Sequence, residues 1–491
     1  MKNKLWWLFL ISLVIIAIIP RGVELFGASY YFGPEQGVEY LVTKSIVVDH
    51  KIVLVAHQGG FGGFFKPPGF NYLLAIPFIL ANGNPYGGRV FMFALSVLTV
   101  LLACIVTRKI FGYKTALFTT FFISISPALS HYAGRISPPF IIPILSVCFI
   151  YAIFKVFQKK YPYVILAAFI VGFMVNFEMA TATTLSIGLF CILLVYCVRR
   201  DMPYRYFLFC IGIFFLFVSP LLVYDLSHNS QNLKGILKML DVAIYRTQGD
   251  FSLNFPQIIN NRLSTFAWNF YSTFSPQKFV SIPLLVLMFL GVLFYIRDKK
   301  NLLEYRLLVW FLAASAAFTF LMLLFYPGDI VQWWIIQLSI FYCYLVGIIA
   351  AYFWQKKVFK VFISLFIITF FLAFGSRTYS LFKREFAYPP SSYIIENEPI
   401  NYIYRNAKGK PFSILVYASR SLKNYEYLIW WYGHTKYHHS PSNSKKGMIL
   451  YILVENSPGV LPIKLLESLN KGVVVETTKL KYGFIVQKKL L

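Results

Sequence analysis

Eleven long apolar runs occupy the first 376 residues of this chain, and the polar gaps between them are lopsided. A helix needs about 20 apolar residues to cross a bilayer. The runs lie at roughly 5–20, 86–107, 115–130, 137–154, 161–178, 181–198, 206–224, 279–296, 307–325, 330–354 and 360–376. The chain is 58% hydrophobic and only 13% charged, with a mean hydropathy of +0.64. A soluble domain carries about 25% charged residues. The pattern predicts an α-helical polytopic membrane protein of eleven transmembrane helices.

The gaps set the orientation. Six short turns hold Lys2 and Lys4; Arg108, Lys109 and Lys114; Lys155, Lys159 and Lys160; Arg199, Arg200 and Arg205; Arg297, Lys299, Lys300 and Arg306; and Lys356, Lys357 and Lys360. The short turns opposite hold Arg135 alone. The excess of Lys and Arg marks the cytoplasmic side. The N-terminus is therefore expected in the cytoplasm of a multi-pass plasma (inner) membrane protein. Leu5–Ile19 is read as an uncleaved first span, because Pro20-Arg21 follows it in place of a small-residue cleavage site.

An odd number of spans sends the tail outside. Two long loops, about 21–85 and 225–278, share that side. Short apolar stretches in the first, Val38–Val48 and Phe70–Leu80, predict helices lying at the interface, and Leu233–Tyr245 predicts another in the second. After residue 376 the composition turns polar. β-rich runs at Phe412–Tyr417, Met448–Val454, Val473–Thr478 and Phe484–Val486 alternate with helical stretches near Ile400–Arg405, Tyr425–Tyr432 and Pro462–Leu469. The expected organisation is a transmembrane domain over 1–376 and a small extracytoplasmic α/β domain over 377–491.

The net charge of +27 does not argue for nucleic acid, because the basic residues are dispersed and many sit in short turns where topology accounts for them. All six cysteines fall inside apolar runs, which leaves no disulfide framework and no zinc pattern. His57, His131 and His228 lie outside without paired metal-ligand spacing. No cofactor is expected; a divalent metal is chemically compatible, but no ligand cluster demands one.

Carboxylates near a membrane are costly to desolvate and so draw attention to function. On or near the outer face they are Glu24, Glu35, Glu39, Asp49, Glu178, Asp225, Asp241, Asp250 and Asp329. Glu35 and Glu39 stand out. Gly33-Pro34 turns the chain, Glu35 opens a helix, and Glu39 follows one turn later on the same face. A partly buried acid beside another can act as a general base, while acids in a first turn also simply complement the helix dipole. Lys66, in Phe65-Lys-Pro-Pro-Gly-Phe-Asn-Tyr72, is placed to hold a phosphate as a compact charge or to snorkel at the interface.

These segments resemble one family. Phe32-Gly-Pro-Glu-Gln-Gly-Val-Glu-Tyr40, the Gly-rich stretch from His57, the Lys66 segment through Phe78, Asn84-Pro-Tyr-Gly-Gly-Arg-Val-Phe, Ser124-Ile-Ser-Pro-Ala-Leu-Ser-His-Tyr-Ala-Gly-Arg135 and Ser219-Pro-Leu-Leu-Val-Tyr-Asp-Leu-Ser-His-Asn229 follow in the order found in GT-C membrane glycosyltransferases. The chain is most similar to the bacterial branch related to protein O-mannosyltransferases and the lipid A aminoarabinose transferase. The resemblance covers roughly residues 1–380. It implies a GT-C-like fold, a polyprenyl-phosphate sugar donor, an unknown acceptor among lipid, glycan and protein, and an acidic catalytic base in the first outer loop.

Glu35 matches that base, where relatives more often carry Asp, and Glu39 matches a second position that is often acidic. Lys66 matches the lysine that meets the donor phosphate, and Arg135 an arginine common after the third span. Tyr72, Asp225, His228 and Gln332 are expected as further substrate contacts. Two positions depart from the pattern. A His-Tyr pair that opens the tenth span in many relatives is replaced around Gln332-Trp333-Trp334, and the Asp that follows Arg135 in mannosyltransferases is replaced by Ser137-Pro-Pro. The implied activity is inverting transfer to an acceptor on the outer face. A flippase for lipid-linked glycans is the alternative, and it needs polar residues deep in the spans, which are nearly bare here. A scaffold role remains open for residues 377–491.

Overall fold

The computed structural model describes residues 2–26, 31–58, 64–245, 253–275, 277–385, 393–418, 422–442, 448–455 and 472–491. Among them, eight helices are long and apolar enough to cross a membrane: Trp6–Val23, Pro85–Phe111, Pro138–Phe157, Met179–Val198, Tyr204–Ser227, Lys278–Arg297, Leu303–Leu323 and Lys357–Lys383. Each falls on an expected run. The other three runs hold shorter helices, Tyr113–Ile125, Pro162–Met174 and Gln337–Phe353.

The run expected to span at 115–130 is broken. Pro127 has no N–H to continue the ladder, so the helix stops at Ile125. A short helix, Pro127–His131, begins again with the Ser126 hydroxyl accepting from Leu129 N. The run at 330–354 likewise opens with a 3-10 turn, Gln332–Ile335, before its helix. The second long loop contains more structure than expected: the Gln231–Tyr245 helix is joined by a second, Phe255–Phe274.

Packing groups the described residues into two units, Met1–Leu25 with Leu54–Phe70 and Val90–Leu381, and Phe26–Val53 with Asn71–Arg89 and Phe382–Leu491. The first is built around the Gln337–Phe353 helix, of whose 17 residues 14 are buried. It packs against Tyr113–Ile125 where Gly347 meets Thr119 so closely that a Cβ has no room. Lipid gives helices no hydrophobic reason to associate, so small residues that allow close backbone approach carry the packing.

Two buried arginines finish helix ends in this unit. Arg21 donates to the carbonyls of Ile123 and Ser124 at 3.1 and 2.8 Å, to Ala17 at 2.9 Å, and to Ser96 Oγ at 3.0 Å. Arg262 donates to the carbonyls of Leu323 and Tyr326 at 3.1 and 2.5 Å. The last carbonyls of a helix have no partner within it and sit at the negative end of its dipole. A guanidinium there supplies both hydrogen bonds and charge.

The second unit holds a four-stranded sheet. Strands β1 (Phe412–Tyr417), β2 (Ile449–Val454), β3 (Val473–Lys479) and β4 (Ile485–Leu490) lie in the order β1-β2-β4-β3. β1 and β2 are parallel, joined through the Lys423–Trp431 helix, and β4 runs antiparallel to β2 and β3. Strands β1 to β3 and the Tyr393–Ala407 and Lys423–Trp431 helices overlap expected runs, while β4 starts in the run Phe484–Val486 and continues to Leu490; the stretch Pro462–Leu469 lies outside the described residues. The Pro34–Val47 helix packs on Lys423–Trp431, with Gly37 against the Asn424 backbone. The Tyr40 hydroxyl donates to the Pro85 carbonyl and accepts from Gly88 N, both at 3.1 Å.

Candidate functional site

In the first unit the site forms around Lys66. The chain pairs with itself there: Ala56 N donates to the Lys66 carbonyl at 2.7 Å, and Lys66 N donates to the His57 carbonyl at 3.3 Å. Pro67 and Pro68 have no N–H, so Gly69 offers the next backbone donor, and it bonds Asn176 Oδ1 at 3.1 Å. The approach is tight enough that a Cβ at Gly69 would overlap the Asn176 amide. On its other side, Phe65 N donates to Asn232 Oδ1 at 2.6 Å. The half-buried Lys66 is thus held between two turns, one before the Met179–Val198 helix and one before the Gln231–Tyr245 helix.

The first of these turns carries Glu178. Its side chain caps the Met179–Val198 helix, accepting from Ala180 N at 3.3 Å. Only 6% of the residue is exposed. Burial pushes the carboxyl up to about 7, with the Lys66 charge and the Ala180 N–H pulling the other way. One turn on, the Thr181 hydroxyl lies 2.9 Å from the Trp334 carbonyl and 2.6 Å from Gln337 Oε1. This ties the Lys66 cradle to the segment that bears Gln332.

Gln332 and Arg135 share a neighbour. The Tyr132 hydroxyl donates to Gln332 Oε1 at 3.3 Å, and its ring stacks on Phe140 at 4.4 Å. Burial raises the Tyr132 phenol, and the Arg135 charge opposes it. Asp225 is engaged in structure: its two oxygens accept from Asn232 N and Leu233 N at 2.8 and 2.9 Å and so cap the Gln231–Tyr245 helix. His228 is exposed and stacks on Tyr224 with centroids 3.8 Å apart, its Nδ1 2.9 Å from the Tyr224 carbonyl.

Glu35, Glu39 and Tyr72 belong to the second unit. Glu35 lies in the first turn of Pro34–Val47 and is exposed. Glu39 is 3% exposed; Asn71 Nδ2 donates to its Oε2 at 2.6 Å and to its carbonyl at 3.1 Å. The two acids share a helix but not an environment. Tyr72 is tied to the backbone of Val53, its hydroxyl 3.0 Å from both the N and the O of that residue.

Asn176, Glu178 (counted only among the acids near the outer face), Tyr132 and Arg262 carried no assigned role in the sequence. For the first two a signal existed, since they are rare polar residues at the end of an apolar run. Arg262 sits in a segment read as loop, which hid it. Among the described residues no group of three His, Cys, Asp or Glu side chains could hold a metal ion.

Residues 65–224 match the family described as dolichyl-phosphate-mannose-protein mannosyltransferase, a window that contains Lys66, Arg135 and Glu178. No curated protein matches the sequence. The fold is that of ArnT from Cupriavidus metallidurans. The structure of that protein bound to undecaprenyl phosphate superposes with a TM-score of 0.62 at 10% identity, over 99% of this chain and 98% of that one. Its apo structure gives 0.59 at the same identity and coverage. The likeness, at that identity, is one of fold.

Proposed function

We propose that this protein is an inverting glycosyltransferase that moves a sugar from a polyprenyl-phosphate donor to an acceptor on the outer face of the membrane. The observation that carries the reading is the half-buried Lys66, whose segment is clamped to Asn176 and Asn232, in a chain whose fold is shared with a protein solved with undecaprenyl phosphate. Lys66 and Arg135 meet the donor phosphate. Glu35 takes the proton from the acceptor hydroxyl or amine. The acceptor atom forms its bond to the anomeric carbon as the bond from that carbon to the phosphate oxygen breaks. The electron pair leaves with the polyprenyl phosphate, whose added negative charge the two cations offset. A single displacement inverts the anomeric centre, as in inverting glycosidases by analogy. The positive-inside pattern supports the outer location.

The test supplies purified protein and host membrane lipids with labelled polyprenyl-phosphate sugars. Release of polyprenyl phosphate together with an inverted glycoside supports the reading. Movement of intact donor across vesicles without cleavage supports the flippase alternative and overturns it.

A further inference from the structure

The Gln231–Tyr245 helix borders a cleft of about 400 Å³ that the transfer reaction does not use. Gln58, His228, Asn229, Gln231, Lys234 and Lys238 line it, and no carboxylate does. Lys234 and Lys238 are exposed and stand one turn apart on one flank of the helix. Neither is in an ion pair among the described residues. Asp225 does not offset them, since both its oxygens are engaged in the helix cap.

His228 is oriented for a ligand. The Tyr224 carbonyl can only accept, so the Nδ1 that lies 2.9 Å from it carries the hydrogen, and Nε2 is the ring atom left to the cleft. The turn that follows holds Asn229 and Ser230 at φ of 51° and 55°, a left-handed pair without glycine. Ser230 N fixes it by donating to the Asp225 carbonyl at 3.0 Å, and Gln231 N by donating to the His228 carbonyl at 3.2 Å. Backbone strain of this kind persists where the surroundings hold it, and it gathers at ligand sites.

Another flank of the same helix is apolar and uncovered. Leu233, Leu237 and Leu240 are 52%, 54% and 41% exposed. The helix begins four residues past the end of a membrane-crossing one, Tyr204–Ser227. An amphipathic helix so placed lies in the bilayer interface, with leucines toward the acyl chains and lysines at the depth of the lipid phosphates.

We propose that the cleft binds the headgroup of an anionic phospholipid, with its phosphate on Lys234, Lys238 and His228 and its acyl chains beside the leucine flank, and that the bound lipid positions Lys66 through Phe65. The two uncompensated cations call for an anion, and the adjoining leucines call for an anion joined to acyl chains. The walls of the cleft converge on Phe65. Asn232 Oδ1 accepts from Phe65 N at 2.6 Å, Gln58 pairs with Phe65 in a β-bridge, and the Phe65 ring lies 5.3 Å from that of Tyr224, on which His228 stacks. Lys66 is the next residue. A lipid bridging these walls restrains the segment that presents the ammonium, and a donor then meets a site already ordered. The positioning of Lys66 rests on its reading as the donor-phosphate contact; the lipid site does not.

The experiment uses the full-length protein in nanodiscs of phosphatidylcholine, with and without phosphatidylglycerol. The variant joins Lys234→Gln to Lys238→Gln, both at exposed positions. Native mass spectrometry of protein released from the mixed discs should show phosphatidylglycerol retained in preference to phosphatidylcholine by the parent, and no preference in the variant. Equal retention of the two lipids by the parent overturns the site, and so does a preference that survives in the variant. Glycerol phosphate, the headgroup without chains, should not displace the lipid; displacement would make the cleft a site for small anions and overturn the lipid assignment. Polyprenyl phosphate should bind the parent at least about fivefold more tightly in the mixed discs, the lower end of coupling between two sites, and the variant no more tightly in either disc. Equal affinity of the parent in both discs overturns the positioning of Lys66. A variant that loses polyprenyl phosphate affinity equally in pure phosphatidylcholine would assign the lysines to the donor and overturn the proposal. Failure of the parent to bind polyprenyl phosphate in any disc removes the donor reading of Lys66, while lipid retention still decides the cleft.

Discussion

Glu178→Gln has a consequence for stability that follows from the burial of Glu178. In the unfolded chain the carboxyl titrates near its ordinary 4.5, and in the folded protein near 7. The folded state therefore holds the proton more tightly, and stability declines as pH rises from about 4.5 to 7, then levels off. At 1.36 kcal/mol per pKa unit, the parent carries a penalty of about 3 kcal/mol above pH 7 and none below 4.5. Glutamine has no proton to lose, and its amide oxygen can still accept from Ala180 N. The variant should melt several degrees above the parent at about pH 8, taking about 2–4 °C per kcal/mol as the upper range for a chain of this size. The two should melt together near pH 4.5. The assay is intrinsic-fluorescence melting in one detergent across pH. Parallel curves for parent and variant would refute the reasoning, because a solvent-exposed Glu178 gives that result and a buried one does not.

Lys66→Ala should weaken binding of a polyprenyl phosphate by about 10- to 100-fold, the equivalent of one charged hydrogen bond of about 1.5–3 kcal/mol; equal affinity in equilibrium binding removes Lys66 from the site. Gly69→Ala should force the Asn176 amide aside, at a loss of about 0.5–1.5 kcal/mol for the hydrogen bond, and loosen donor binding by up to about tenfold. Combining it with Asn176→Ala should cost less than the sum of the two single changes, and additive binding losses would deny the contact. Ser440→Cys should react with an impermeant thiol reagent in intact cells, and protection until lysis would place the tail in the cytoplasm.

Much of the fold could be read from residue patterns because its signals are local. Apolar runs marked the spans, β-branched runs such as Ile449–Val454 marked the strands, and Gly33-Pro34 marked the start of the Pro34–Val47 helix. What escaped depends on partners far along the chain. Arg21 looked like a residue at a membrane boundary, yet it finishes a helix about a hundred residues away. Phe255–Phe274 carries Gln257, Asn260, Asn261 and Arg262, which read as loop; the residues it buries include Arg262 and Asn269, whose partners lie sixty to seventy positions on. Asp225 looked free for substrate because nothing in its own stretch needs a cap; the helix it caps begins six residues later. Within the candidate site, the turn at Lys66 was legible from Lys-Pro-Pro-Gly, while its clamp to Asn176 was not, since that contact joins residues more than a hundred apart.

Single-turnover transfer from a labelled polyprenyl-phosphate sugar, compared between the parent and Glu35→Gln at equal donor occupancy, bears most directly on the proposed function. Glutamine keeps the shape of Glu35 and removes its basicity. The parent should release polyprenyl phosphate and form a glycoside of inverted configuration. Glu35→Gln should bind donor normally and turn over about 10² times more slowly or worse, and Glu35→Asp should retain part of the rate. A Glu35→Gln variant that transfers sugar at near-parental rate would contradict the assignment of the base, and a parent that releases no polyprenyl phosphate from any such donor would contradict the function itself.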